Sequence, residues 1–371
     1  MSFTKLKVGS TIGIIGGGQL GKMMAHSAQR MGFKVAVLDP DDTCPARFSA
    51  HHFIHAPYND MEALIQLGGL SDAITYEFEN ISGDTLAALS EKFNVPQGFR
   101  TVVTLQNRLT EKNAIESSGA QVVPYMHVSN PDSLNRVVEH LGYPFILKTA
   151  FGGYDGKGQL VVNNAEQLTE AVDFIKSEVP CVAEQMIMLA SEISITATAA
   201  LDGSLVFFPV QENIHRHQIL YKTTVTGTHQ LQSSAIEEVK KIMKNIHFVG
   251  TFTVEFFIDQ NNKLYVNEIA PRPHNSGHYS IEACDYSQFD THILSVAGWT
   301  LPERITLHQP AVMYNLLGQD LEIMEDTFHE HPDWHVHVYG KEIRKNDRKM
   351  GHVTILNLFN DYETIYEERM R

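Results

Sequence analysis

"TFTVEFFIDQNNKLYVNEIAPRPHNSGH", residues Thr251 to His278, decides which kind of protein this chain is. Two runs rich in β-branched and aromatic residues flank the turn-forming segment Asp259 to Asn262, so the stretch reads as a β-hairpin. Folding it there brings Glu255 and Glu268 within about one residue of directly opposite. On a shared face their Cβ atoms would stand roughly 5 Å apart, where like charges destabilise a sheet unless a cation intervenes. Mg²⁺ suits that position, because it takes one or two carboxylates and completes its octahedron with phosphate oxygens and water. The other reading of these residues alone is a solvated strand face, or a register that separates the two glutamates.

A second stretch weighs in favour of the metal. "FILKTAFGGYDGKGQLVV", Phe145 to Val162, sets Gly152, Gly153, Gly156 and Gly158 between two strand-like runs. Glycines let a backbone turn sharply and present N–H groups to an anion. The spacing is not that of a P-loop: only three residues separate Gly152 from Gly156, and Gly158 stands where Ser or Thr would be needed. A hairpin flap over phosphates fits better, with Lys148 and Lys157 supplying charge and Arg272 adding a phosphate clamp. A plain surface hairpin with a glycine turn is the alternative.

Further upstream, "TIGIIGGGQLG" (Thr11 to Gly21) follows the dinucleotide-binding spacing at Gly16, Gly18 and Gly21, with Asp39 closing the next apolar strand. Up to about residue 100, short apolar runs alternate with helical patterns, as in a parallel sheet with crossover helices. A helix is expected over residues 105–119, ending at Gly119. Beyond it, hairpin strands dominate, and from about Leu301 a small strand-rich tail follows. The expected fold is therefore α/β followed by α+β, divided at 1–105, 106–190, 191–300 and 301–371.

Bulk properties narrow the function. The chain has 371 residues, a formal charge of −15 and three scattered cysteines. That charge argues against nucleic acid as a partner, and a negative protein that binds ATP must gather cations locally or recruit a metal. No apolar run approaches the roughly 18 residues of a membrane span. The cysteine pattern and the lack of a secretion-like start point to a reducing cytoplasm.

Together, "GIIGGGQLG", "YEFENI", "FGGYDGKGQ", "NEIAPRPHNSGH" and "YGKEIRKNDRKMGH" resemble the ATP-grasp superfamily, and within it the N5-carboxyaminoimidazole ribonucleotide synthetase family of purine biosynthesis. The resemblance covers essentially the whole chain. It implies an ATP-grasp fold with a Rossmann-like pre-ATP-grasp domain of parallel sheet and a small β-rich C-terminal domain. It also implies a ligase that carboxylates 5-aminoimidazole ribonucleotide with bicarbonate, through carboxyphosphate, using ATP and Mg²⁺ (with Mn²⁺ as a substitute), as a cytoplasmic homodimer.

Carried onto this sequence, the resemblance assigns ATP to Arg108, Lys148, the flap Gly153, Tyr154, Asp155, Gly156, Lys157, Gly158 and Gln159, and the adenine-reading segment Glu184, Gln185, Met186 and Ile187. Glu192 matches a ribose-binding acid, His215 another nucleotide contact, and Asn267 with Glu268 the phosphate–metal end. Glu255 and Glu268 become the metal ligands. The ribonucleotide falls to Lys341 and Arg348 at its phosphate, to Tyr154, Asp155 and Glu77 (in preference to Glu79) at the imidazole, and to Gln19 in the glycine turn, whose N–H groups face the crevice. Arg272, His274 and Asn275 line the bicarbonate and the transferred phosphate, with Lys148 as a further catalytic cation. No NAD is implied, and Asp39 becomes a structural strand-end acid. An NAD-dependent oxidoreductase explains neither the flap nor the paired glutamates. Another ATP-grasp ligase, such as a biotin carboxylase or a formate-using transformylase, would share the ATP half.

Overall fold

The computed structural model describes residues 5–152, 158–175, 180–358 and 361–369. The flap positions Gly153, Tyr154, Asp155, Gly156 and Lys157 lie outside the described residues.

The first sheet holds β1 (Thr11–Ile15), β2 (Lys34–Asp39), β3 (His52–His55) and β4 (Ala73–Tyr76), all parallel in the order β3-β2-β1-β4. Its apolar runs are continuous because both faces are covered. Ile12, Ile14, Val35 and Val37 face one core, and Ile15, Ala36, Leu38 and Ile74 the other. Helices α1 (Gln19–Arg30), α2 (Met61–Leu70) and α3 (Gly83–Lys92) belong to this unit.

The helix expected over 105–119 is α5 (Arg108–Ser117), and a separate short helix, α4 (Arg100–Leu105), precedes it. Asn107 makes the break. Its side-chain oxygen accepts from the N–H groups of Leu109 and Thr110, capping α5 and ending the helix before it.

A second sheet, β5 (Tyr125–Val128), β6 (Phe145–Thr149), β7 (Gln159–Val162) and β8 (Cys181–Gln185), is antiparallel in the order β5-β8-β6-β7.

The third sheet has nine described strands: β9 (Leu189–Ala199), β10 (Leu205–Phe207), β11 (Gln211–Arg216), β12 (Ile219–Val225), β13 (Gly250–Asp259), β14 (Leu264–Ala270), β15 (Ala311–Leu317), β16 (Trp334–Val338) and β17 (Lys349–Leu356). Its order is β14-β13-β9-β11-β12-β15-β17-β16, with β10 on β9. The strands of the tail thus extend the central sheet through the β12–β15 pairing.

Helix Gln288–Val296 joins the parallel sheet to the central one. Phe289, Ile293 and Val296 pack into the core beneath β1 and β2, while Thr291 hydrogen-bonds Thr198 of β9 at 2.7 Å. His292 bridges both sides, accepting from the Thr251 N–H on β13 and meeting the Thr75 hydroxyl on β4 at 2.8 Å. This buried polar network is fully partnered along the seam, and it fixes how the two sheets face each other.

Candidate active site

A cavity of about 840 Å³ opens where the three sheets meet. The parallel-sheet unit contributes Gln19 from the start of α1 and Glu77 and Glu79 from the loop after β4; the second sheet Lys148 and Gln159; the central sheet Glu192, His215, Glu255, Asn267 and Glu268. Arg108, Gly158, Arg272, His274, Asn275 and Lys349 also line it.

Glu255 and Glu268 pair directly across β13 and β14. The register shifts immediately after Glu255, and Phe256 pairs with Val266, leaving Asn267 as the extra residue of a bulge. A regular strand would send adjacent Asn267 and Glu268 to opposite faces; the bulge re-aims them so that both line the cavity. A second register shift, between Ile214 and His215 on β11, accompanies His215 at the cavity, where its Nδ1 meets Glu192 at 2.9 Å.

The acidic pair is electrostatically loaded. Burial, then the facing Glu268, pushes the Glu255 carboxyl up to about 7. Arg108 stands 3.5 Å from Glu268, and the His274 Nε2 stands 3.4 Å from Glu255. His274 gives no fixed charge, because burial and then Arg272 push its pKa well below the ordinary range for histidine. Behind the pair, Glu111 of α5 accepts from the Ile269 N–H, and burial followed by Glu268 raises it to about 8.

Arg272 is clamped by Glu79: Nε donates to one carboxylate oxygen, and Nη2 donates to the other at 3.0 Å. This bidentate fork fixes the guanidinium plane at the cavity wall. Lys148 Nζ donates to Glu184 at 2.8 Å. Asn275, 8% exposed, has both side-chain amide atoms buried without a protein partner. Such a group costs free energy unless a bound molecule satisfies it.

The glycine turn departs from expectation. Its amides do not face the crevice, because carboxylates of the chain itself accept from them: Gly18 and Gly21 donate to the two oxygens of Glu77, each at 2.6 Å, and Gly17 donates to Asp39 at 2.6 Å. Gly16, with φ of +103°, would put a Cβ 2.3 Å from the Glu77 side chain. The fingerprint glycines are thus spaced by an internal glutamate where a dinucleotide enzyme holds pyrophosphate. Asp39 also accepts from the Tyr58 hydroxyl and the Asp41 N–H, so it is spoken for as a structural acid. Gln19 and Glu77 still line the cavity.

Other expected residues are not brought to it. Glu184, Gln185, Met186 and Ile187 are absent from the lining; the Gln185 and Met186 N–H groups donate to Pro124 and Pro144 carbonyls. Lys341 stands one hydrogen bond behind the wall, its Nζ donating to the Lys349 carbonyl at 2.7 Å. Arg348 sits on the outer loop with Nη1 on the Ile343 carbonyl. The cavity cation there is Lys349, which the sequence reading missed. A register shift where β17 meets Leu317 puts Lys349 at the cavity, and no local motif marks that shift.

The lining holds five glutamates against four Lys and Arg side chains. A polyphosphate cannot enter such a wall without an added cation, and the opposed Glu255 and Glu268, with the Asn267 oxygen beside them, are the hard oxygen donors that Mg²⁺ prefers. The residues present therefore fit the metal.

Comparison with known proteins covers nearly the whole chain. Residues 9–106 match the ribonucleotide synthetase preATP-grasp domain, 113–289 the ATP-grasp domain, and 311–364 the phosphoribosylaminoimidazole carboxylase C-terminal domain. The chain is 59% identical over 356 residues to the N5-carboxyaminoimidazole ribonucleotide synthase of Staphylococcus aureus, covering 96% of this chain and 95% of that one. The crystal structure of the Staphylococcus aureus N5-carboxyaminoimidazole synthetase complexed with ADP superposes with a TM-score of 0.96 at 57% identity, covering 100% and 99% of the two chains. The Aspergillus clavatus N5-carboxyaminoimidazole synthase, in complex with ADP and 5-aminoimidazole ribonucleotide, gives 0.87 at 28% identity over 98% of each.

Proposed function

The chain belongs to the N5-carboxyaminoimidazole ribonucleotide synthase family of ATP-grasp ligases, and from that premise we propose how its cavity works. The reaction is the ATP-dependent carboxylation of 5-aminoimidazole ribonucleotide to N5-carboxyaminoimidazole ribonucleotide in purine biosynthesis. Bicarbonate is the proposed carboxyl source, and Glu255 and Glu268 with Asn267 are the proposed holders of Mg²⁺ or Mn²⁺. The metal, when bound, neutralises phosphate charge during phosphoryl transfer.

The remaining work falls to side chains. Arg108 and Lys148 hold the ATP phosphates, and Gly158 and Gln159 stand at the cavity end of the glycine flap. The Glu192–His215 pair faces the nucleoside. A bicarbonate oxygen attacks the γ-phosphorus, the bond to the departing ADP oxygen breaks, and carboxyphosphate forms. Arg272, held in plane by Glu79, faces the charge that develops on the transferred group. Asn275 offers its unpartnered amide to the carboxyl oxygens. The exocyclic amine of the ribonucleotide then attacks the carboxyl carbon, phosphate leaves, and the amine proton departs with it or to solvent. Holding both reactants in one cavity supplies the proximity this step needs. Glu77 and Gln19 face the imidazole, and Lys349, with Lys341 behind it, meets the ribonucleotide phosphate. The reading includes a homodimer in the cytoplasm, on the strength of the family resemblance.

One observation carries the proposal: the opposed Glu255 and Glu268 share a cavity with Lys148, Arg272 and the Glu77 end of the parallel sheet. Phosphate release from MgATP in bicarbonate buffer should depend on 5-aminoimidazole ribonucleotide. Equal release with other acceptors, or none with this one, would reject it.

A further inference from the structure

We propose that Lys112, a buried lysine on α5, is a positioning residue that balances Glu184 so that the charge of Lys148 remains available to the phosphates of ATP. The inference rests on assigning Lys148 to those phosphates. Lys112 is 2% exposed at its side chain, with Nζ 3.2 Å from one oxygen of Glu184. The other oxygen of Glu184 accepts from Lys148 Nζ, and only Lys148 of the three lines the cavity. The triad carries one net positive charge, and it is delivered at the cavity end. Without Lys112, Glu184 and Lys148 would form a neutral pair whose carboxylate holds the lysine back and repels phosphate.

Stability does not explain the arrangement. Buried charges are costly to desolvate, and a buried ion pair is often replaceable by apolar side chains at no loss. Ile115, one turn further along α5, shows that the same helix packs apolar residues where none of this is needed. The face of α5 that carries Lys112 at i+4 also carries Arg108 at i and Glu111 at i+3, which meet Glu268 and the Ile269 N–H. One helix thus addresses both the metal end and the phosphate end of the site. Burial alone would raise the Glu184 carboxyl, yet Lys112 and then Lys148 hold it down to about 2.

The test is a charge-compensation series on the full-length enzyme, read as KM for ATP, KM for 5-aminoimidazole ribonucleotide, and ADP affinity by calorimetry. Lys112→Met should weaken ADP and raise the KM for ATP about tenfold or more, the size of one charged hydrogen-bond interaction, with the KM for the ribonucleotide unchanged. Lys112→Arg should keep near-parental values. Lys112→Met/Glu184→Gln, which restores one net positive charge, should recover most of the loss; a purely structural Lys112 would instead lower the melting temperature of Lys112→Met while leaving its KM for ATP and ADP affinity at parental values. An unchanged KM for ATP in Lys112→Met, or a further loss in the double variant, overturns the proposal. If Lys112→Met does not fold, Lys112→Gln decides: ADP affinity weakened about tenfold or more supports the proposal, and affinity within about threefold of the parent refutes it. Lys148→Met is measured beside them. If it leaves ADP affinity intact, the assignment of Lys148 falls. If it weakens ADP while Lys112→Met does not, only the present inference falls.

Discussion

Glu255→Gln should make the metal-free enzyme more stable and inactive, and the size of the gain follows from the hairpin. Burial and the facing Glu268 move the Glu255 carboxyl from an ordinary 4.5 to about 7. Below pH 4.5 it is protonated in both the folded and unfolded chain and contributes nothing. Between 4.5 and 7 the unfolded chain releases the proton while the folded one keeps it, so stability falls as the pH rises. Above 7 the penalty is complete, about 3 kcal/mol at 1.36 kcal/mol per tenfold. The side chain is 16% exposed, so water screens part of this and about 2 kcal/mol is the working figure. Thermal unfolding in excess chelator at pH 5 and pH 8 reads the effect. Parent and variant should nearly coincide at pH 5, and the variant should melt about 2–3 °C higher at pH 8, at about 1.3 °C per kcal/mol for a chain of this length. Adding Mg²⁺ should raise the parent's melting temperature more than the variant's. A variant no more stable than the parent at pH 8 would refute the claim that these carboxylates repel each other in the folded chain.

Three further outcomes are expected. Glu268→Ala should lower ATP hydrolysis about a hundredfold or more, as removal of preorganised charge does; near-normal turnover would remove the metal assignment. Lys349→Ala should raise the KM for the ribonucleotide about tenfold while leaving the KM for ATP unchanged; an unchanged ribonucleotide KM rejects its phosphate role. Glu77→Gln leaves one of the Gly18 and Gly21 N–H groups facing an amide donor, so denaturant unfolding should show a loss of about 1–3 kcal/mol. A neutral result would mean the turn does not depend on that carboxylate.

Two β-branched and aromatic runs around a recognisable turn made the β13–β14 hairpin readable in the sequence, and with it the opposition of Glu255 and Glu268. The crossover pattern of the first hundred residues was equally legible, because buried parallel strands are continuous apolar runs bounded by helix signals. What escaped reading depends on contacts distant in sequence. Glu77 reaches Gly18 and Gly21 across 59 and 56 residues, so a fingerprint read locally suggested amides open to a ligand. The bulges at Asn267, His215 and Lys349 re-aim side chains by one position, and nothing in composition announces a one-residue shift. Lys349 went unnamed for that reason. Nothing local in the sequence marks Lys112, because its partner Glu184 lies 72 positions away.

The central claim is that the cavity joins bicarbonate to the amine of the ribonucleotide at the expense of ATP. Incubation with labelled bicarbonate, MgATP and 5-aminoimidazole ribonucleotide tests it most directly. Label should appear in an acid-labile carbamate, with one phosphate released per carboxyl fixed, and neither should occur without the ribonucleotide. Phosphate release with no label trapped in the ribonucleotide would contradict it.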